Sequence, residues 1–231
     1  MTIPTRPPVG PAVPGWSVRP TPEAVHLQGR YASLRPLTSA SYSELYAALG
    51  GEQAAPRWTY LPAEPPRDLP SLWMLMSTRL EADPATFAVV GEDGRVAGTF
   101  ALCTVDESNG SVELGWVLFG EALARTRAAT EAVHLVQSHV FEELGYRRLE
   151  WKCDSLNEPS RRAALRFGFT YEGTFRQHRV VKGHNRDSAW FSITDSEWPA
   201  IRERQLAWLD PENFDADGVQ RTSLRPHGSA R

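Results

Sequence analysis

The feature that most constrains this chain is a change of hydrophobic period near its middle. Three short apolar runs, TFAVVG (86–91), RVAGTFALCTV (95–105) and SVELGWVLF (111–119), are separated by the turn sequences EDG and DESNG. Runs of this length between turns read as an antiparallel meander. From Thr126 to Leu144 the pattern switches. Ala129, Val133, Val136, Val140 and Leu144 fall on one face of a helix, and Gly145 follows as a C-terminal cap. A sheet that hands over to a long amphipathic helix must cover one face with that helix, which sets the fold class as α/β.

The flanks extend the pattern. Residues 26–37 (HLQGRYASLRPL) read as a strand ending at Pro36, and Ser39 to Leu49 as a helix stopped by Gly50-Gly51. A proline-rich loop (52–68) carries Trp58 and Tyr60, and 69–82 return to helical spacing. After the long helix come a strand at RRLEWKC (147–153) and a short helix capped by Asn157 and closed by Gly168. A hairpin around KGHNRD follows, then a last helix opened by the capping-box pattern Thr194-Asp-Ser-Glu197. The expected organisation is an irregular proline-rich lead-in (1–25), one domain (26–209) and a frayed tail (210–231).

Composition excludes several function classes. A formal net charge of −3 disfavours nucleic acid as the main partner. No apolar run approaches the ~20 residues of a membrane span, and the N-terminus lacks a signal-peptide core, so a cytoplasmic location is expected. The two cysteines, Cys103 and Cys153, sit in apolar strand-like segments and read as small buried hydrophobes. His134 and His139 are five apart on the long helix, not at the spacing of a metal pair, and no metal is expected.

Four blocks carry a resemblance: VELGWVL (112–118), RTRAATEA (125–132), LGYRRLEWKCDSLNEPSRRAALRFGFTYEG (144–173) and RDSAWFSI (186–193). Together they resemble the GNAT superfamily of N-acetyltransferases, and within it the ribosomal-protein (Rim-type) branch. The resemblance implies a mixed, largely antiparallel central sheet, splayed apart and flanked by helices. It implies acetyl-CoA as co-substrate, its arm lying between the splayed strands against Val117 and Leu118. Its pyrophosphate would rest at the start of the long helix on Arg125, Thr126, Arg127, Ala128, Ala129 and Thr130, where unpaired N–H groups and the helix dipole favour anions. Glu113 stands where the family often places a carboxylate, and a base is needed because a free amine is mostly protonated at pH 7. Asn157 and Ser160 match the branch's N-x-x-S, the asparagine touching the cofactor and the serine protonating the departing thiolate. Asn157 also serves as a plain helix cap.

Trp58 and Tyr60 lie where the family binds its acceptor, and either wall a pocket or pack onto the core. The implied acceptor is a primary amine on a protein N-terminus or a small molecule, and the family leaves room for a homodimer. One departure stands out. Arg127 occupies a position where the family has glycine, so side-chain charge is expected to replace a close backbone approach to phosphate. That missing glycine also keeps open a module that binds acyl-CoA or a protein partner without catalysis.

Overall fold

In the computed structural model, which describes residues 9–224, a single eight-stranded sheet is built from β1 (Leu27–Gln28), β2 (Ser33–Pro36), β3 (Thr86–Val90), β4 (Val96–Asp106), β5 (Ser111–Phe119), β6 (Arg148–Asp154), β7 (Thr170–Val181) and β8 (His184–Thr194). The spatial order is β1-β2-β3-β4-β5-β6-β8-β7. All neighbours are antiparallel except β5 and β6, which run parallel. The five helices are α1 (Tyr42–Leu49), α2 (Leu69–Ala82), α3 (Arg127–Ser138), α4 (Glu158–Arg166) and α5 (Trp198–Leu209). The mixed, largely antiparallel architecture expected from the sequence is what forms.

Both faces of the sheet are covered, so every residue of β3 is buried despite the alternation of its side chains. Phe87 and Val89 join the core formed with Val133, Val136 and Val140. Ala88 and Val90 join a second core with Leu45, Leu49, Leu72 and Met76 of α1 and α2. α3 gives way at its C-terminal end to a π-helical turn, His139–Glu143. A buried carboxylate ties it to the sheet edge: Glu131 accepts backbone N–H bonds from Arg30 (3.0 Å), Tyr31 (2.5 Å) and Ala32 (2.7 Å). Gly29 makes room for it, since a Cβ there would overlap the Glu131 carboxyl. This turn splits the single strand expected over 26–37 into β1 and β2.

Both flanking segments are more engaged than composition suggests. Residues 9–25 have no helix or strand, yet the Trp16 indole donates to Ser108 O (2.9 Å), Arg19 N to Glu107 O (3.0 Å) and Tyr146 Oη to Pro20 O (3.0 Å). The expectation of a frayed tail after Leu209 is corrected. Phe214 is buried, the Trp208 indole donates to Gln220 (2.7 Å), and Leu224 is 1% exposed in the main core. Apolar anchors spaced through a polar segment hold it down. Residues 1–8 and 225–231 lie outside the described residues, and the expectations for them with them. No helix among the described residues is long and apolar enough to cross a membrane.

Candidate active site

The site begins where two strands part. β5 pairs with β6 only at Ser111↔Arg148, Val112↔Leu149 and Glu113↔Glu150. Beyond Glu113, β6 continues along β8 while Leu114–Phe119 of β5 have no partner strand on that edge. On its other edge β5 bulges: its pairing with β4 jumps from Ala101↔Gly115 to Thr99↔Leu118. Trp116 takes φ = 54° there, a left-handed conformation that L-residues adopt at a cost. Gly115 fits beside the bulge because a Cβ would stand 2.7 Å from Cys103 Sγ.

The parting opens a cleft of about 320 Å³. Glu113 lies on its wall, 15% exposed at the side chain. Its Oε2 accepts from Thr104 Oγ1 (2.9 Å) and pairs with Lys152 Nζ (3.0 Å). Lys152 also pairs with Glu150 (2.8 Å) and lies over the Trp190 ring. Both of these contacts fall on Oε2, which leaves Oε1 for another donor.

Ser160 faces the same cleft from the first turn of α4. The buried Trp151 indole donates to its Oγ (3.0 Å). An indole N–H can only donate, so Ser160 accepts from Trp151 and keeps its own proton to give. Asn157 lines the cleft and caps α4 through Oδ1, which accepts the Ser160 N–H at 3.2 Å.

The two aromatics of the 52–68 loop part company. Tyr60 lines the cleft and its hydroxyl donates to Leu156 O (3.1 Å). Trp58 is fully buried against α1, donating to Leu49 O (2.9 Å), so of the two readings left open for it the structure takes the packing one, and it does not wall the cleft. Burial of the largest apolar side chain in the loop is what anchors the loop.

The start of α3 is a second, adjoining element. Thr126 caps it, accepting the Ala129 N–H (3.1 Å) and donating to Leu123 O (2.7 Å). Thr130 donates to Thr126 O (3.3 Å) and accepts from Arg166 (2.8 Å). Ala129 and Thr130 are therefore already bonded within the protein. The first helical N–H groups, those of Arg127 and Ala128, have no carbonyl behind them. Arg125 is exposed, at φ = 67°. The Arg127 guanidinium lies 3.6 Å from Glu92 and over the rings of Tyr31 (4.6 Å) and Phe214 (5.0 Å). Its side chain is thus engaged within the protein, while its backbone N–H stands among the unbonded ones at the helix start.

Comparison with known proteins decides the family. Residues 32–170, more than half of the chain, match the acetyltransferase (GNAT) domain. This chain belongs to the GNAT acetyltransferase family. A GCN5-related N-acetyltransferase from Brucella melitensis is similar over 92% of this chain and 97% of its own, at 47% identity and a TM-score of 0.89. A GNAT-family acetyltransferase structure from Chromobacterium violaceum covers 85% of this chain and 99% of its own, at 37% identity and a TM-score of 0.77. The N-acetyltransferase p20 of Bacillus licheniformis is 30% identical over 126 residues, 54% of this chain and 70% of the relative.

Within this GNAT fold, several cleft residues carry no motif that singles them out in the sequence. Lys152 meets Glu113 of the neighbouring strand, a pairing visible only once the strands are set in register. His178 bonds Ser188 Oγ through Nδ1 (2.9 Å). Burial pushes its imidazole below the usual histidine value, and Arg179, Arg186 and Lys152 push it further. Cys103 also lines the cleft, but burial, with Glu113 nearby, pushes its thiol up to about 12, which leaves it a poor nucleophile.

Proposed function

We propose that this acetyltransferase moves an acetyl group from acetyl-CoA directly to a primary amine, in the manner of the Rim-type branch, with no acetylated enzyme between. One observation carries the reading: the sheet opens at Glu113, and Glu113, Ser160 and the β5 bulge all border the opening.

The residues present fit acetyl-CoA. An open strand edge of N–H and C=O groups needs an extended partner with amides of its own, and Leu114–Phe119 offer one, with Val117 and Leu118 at its bulged end. The exposed Arg125 guanidinium and the N–H groups of Arg127 and Ala128 at the capped start of α3 suit a pyrophosphate. The bound thioester supplies the acetyl group and its own leaving sulfur.

The chain's groups do the rest. Glu113 takes a proton from the incoming ammonium through Oε1, directly or through water, while Thr104 and Lys152 hold Oε2 in place. The backbone N–H of Val117 donates to the oxygen on which charge develops. Ser160 gives its proton to the departing sulfur, with Trp151 fixing the hydroxyl in the donor role. Asn157 positions Ser160 and borders the cofactor, and Tyr60 walls the acceptor side. The raised thiol of Cys103 supports direct transfer over a covalent route. The acceptor is an amine on a protein N-terminus or a small molecule.

Calorimetry with acetyl-CoA, followed by CoA release over peptides and small amines, tests this reading. Binding together with release on a primary amine is the expected result. Binding without release on any amine would make the chain an acyl-CoA-binding module instead.

A further inference from the structure

The cleft as a whole has an unbalanced charge. Its lining carries five permanent cations, Arg57, Arg79, Lys152, Arg179 and Arg186, against three carboxylates, Asp83, Glu113 and Asp154. Two of the cations are answered: Arg79 pairs with Asp83, and Lys152 with Glu113 and Glu150. Asp154 turns an oxygen to the Leu156 N–H (2.9 Å). Arg57, Arg179 and Arg186 form no ion pair among the described residues, and Arg186 Nε donates to Ser188 Oγ (3.2 Å).

Arg179 and Arg186 also stand directly opposite each other in the β7–β8 ladder, both facing this cleft. Like charges across a ladder sit with Cβ atoms about 4.5–5.5 Å apart and destabilise the pair. Two guanidiniums in that register make a two-pronged donor for one anionic group, whose binding would relieve the repulsion. Arg57 approaches from the facing loop, and that loop and the hairpin are fastened together by Lys182 Nζ donating to Trp58 O (3.0 Å). The cleft lining stops at Val117 on β5 and includes no residue of 125–130, so these arginines are separate from the helix start assigned to pyrophosphate.

We infer that the acetylated amine belongs to a molecule that also carries an anionic oxygen group, a carboxylate or a phosphate, held by Arg57, Arg179 and Arg186 while its amine meets Glu113. The inference rests on the acetyl-transfer reading above. It disfavours polycationic acceptors, whose further charges would face the arginines.

Matched acceptors test it by CoA release with the full chain. Glutamate is compared with glutamine α-amide, and phosphoethanolamine with ethanolamine, alongside spermidine. An anionic member should exceed its neutral partner in kcat/KM by at least about tenfold, the value of one charged hydrogen bond. Whichever pair shows the difference separates carboxylate from phosphate. In Arg57→Ala/Arg179→Ala the preference should fall away with KM for acetyl-CoA unchanged, and Arg179→Glu should invert it. Equal use of both members, preference for spermidine, or a preference that survives both variants overturns the inference. If acetyl-CoA binds and no amine releases CoA, the transfer reading fails by itself. The inference is then decided by calorimetry of the N-acetylated pairs on the CoA-bound protein: tighter binding of the anionic member upholds it, and equal binding overturns it.

Discussion

Replacing Ser160 with alanine should do two separable things. The first is structural. Trp151 is 4% exposed, and its indole N–H has Ser160 Oγ as its partner at 3.0 Å. Removing the hydroxyl strands a buried donor, at a cost of about 1–3 kcal/mol. For a domain of this size each kcal/mol moves Tm by roughly 2–4 °C, so melting should fall by several degrees. The second effect is chemical. A leaving thiolate whose acid has pKa ~8.5 needs help less than an amine or alkoxide would, so turnover should drop by about 10–100-fold, below the usual range for general acids. Acetyl-CoA affinity should barely change, because the donated proton matters only as charge develops. Trp151→Phe separates the two. It removes the same hydrogen bond but leaves the serine and its proton, so turnover should fall by less than in Ser160→Ala, the loss coming from a hydroxyl no longer held in place. Melting curves and single-turnover CoA release on both variants are the assay. Equal loss of turnover in the two would refute the reasoning, since Ser160 would then act only through packing.

Three further outcomes are expected. Glu113→Gln should lower turnover at pH 7 by roughly 10²–10⁴-fold and recover in part at high pH, where the amine deprotonates unaided; an unchanged pH–rate profile would assign the proton elsewhere, with His178 the next group to test. Arg125→Ala should raise KM for acetyl-CoA by about tenfold, one charged hydrogen bond, whereas Arg127→Ala should leave KM near its starting value and lower stability through the lost contacts with Glu92, Tyr31 and Phe214; steady-state kinetics and urea unfolding read the two. Arg148 (2.8 and 2.6 Å) and the Ser192 hydroxyl (2.7 Å) hold the Glu172 carboxyl down at about 2. Its folded value lies below the unfolded one, so its stabilisation is complete above the ordinary carboxylate range and is lost as pH falls toward 2; in Glu172→Gln the acid limb of stability against pH should be flatter over that window.

Much of the fold is legible in the sequence because local signals agree with the global pattern. The turns at EDG and DESNG, the 3.6-residue spacing from Ala129 to Val140 and the Gly145 stop each act within a few residues, and each element forms where they place it. What escapes is non-local. The β1–β2 turn depends on Glu131, 99 to 101 positions away in the chain. The tail is held by Trp208, Phe214 and Leu224 against elements that sequence neighbours do not reveal. The site divides in the same way. Glu113, Asn157 and Ser160 lie in the blocks that resemble the family, and the structure brings all three to one cleft. The ion pair on Glu113, the indole behind Ser160 and the facing arginines depend on strand register, which no single segment encodes. The contacts of Arg127 with Glu92, Tyr31 and Phe214 escape for the same reason, since a charged residue at a helix start reads as a phosphate ligand until the direction of its side chain is known.

The central claim is direct transfer inside a ternary complex, and the initial-velocity pattern tests it. Acetyl-CoA and the best primary amine of the panel are varied together while CoA release is followed. Direct transfer gives intersecting double-reciprocal lines, with negligible CoA release when the amine is left out. Parallel lines, or CoA released without amine together with an acetyl group on the protein, would contradict it.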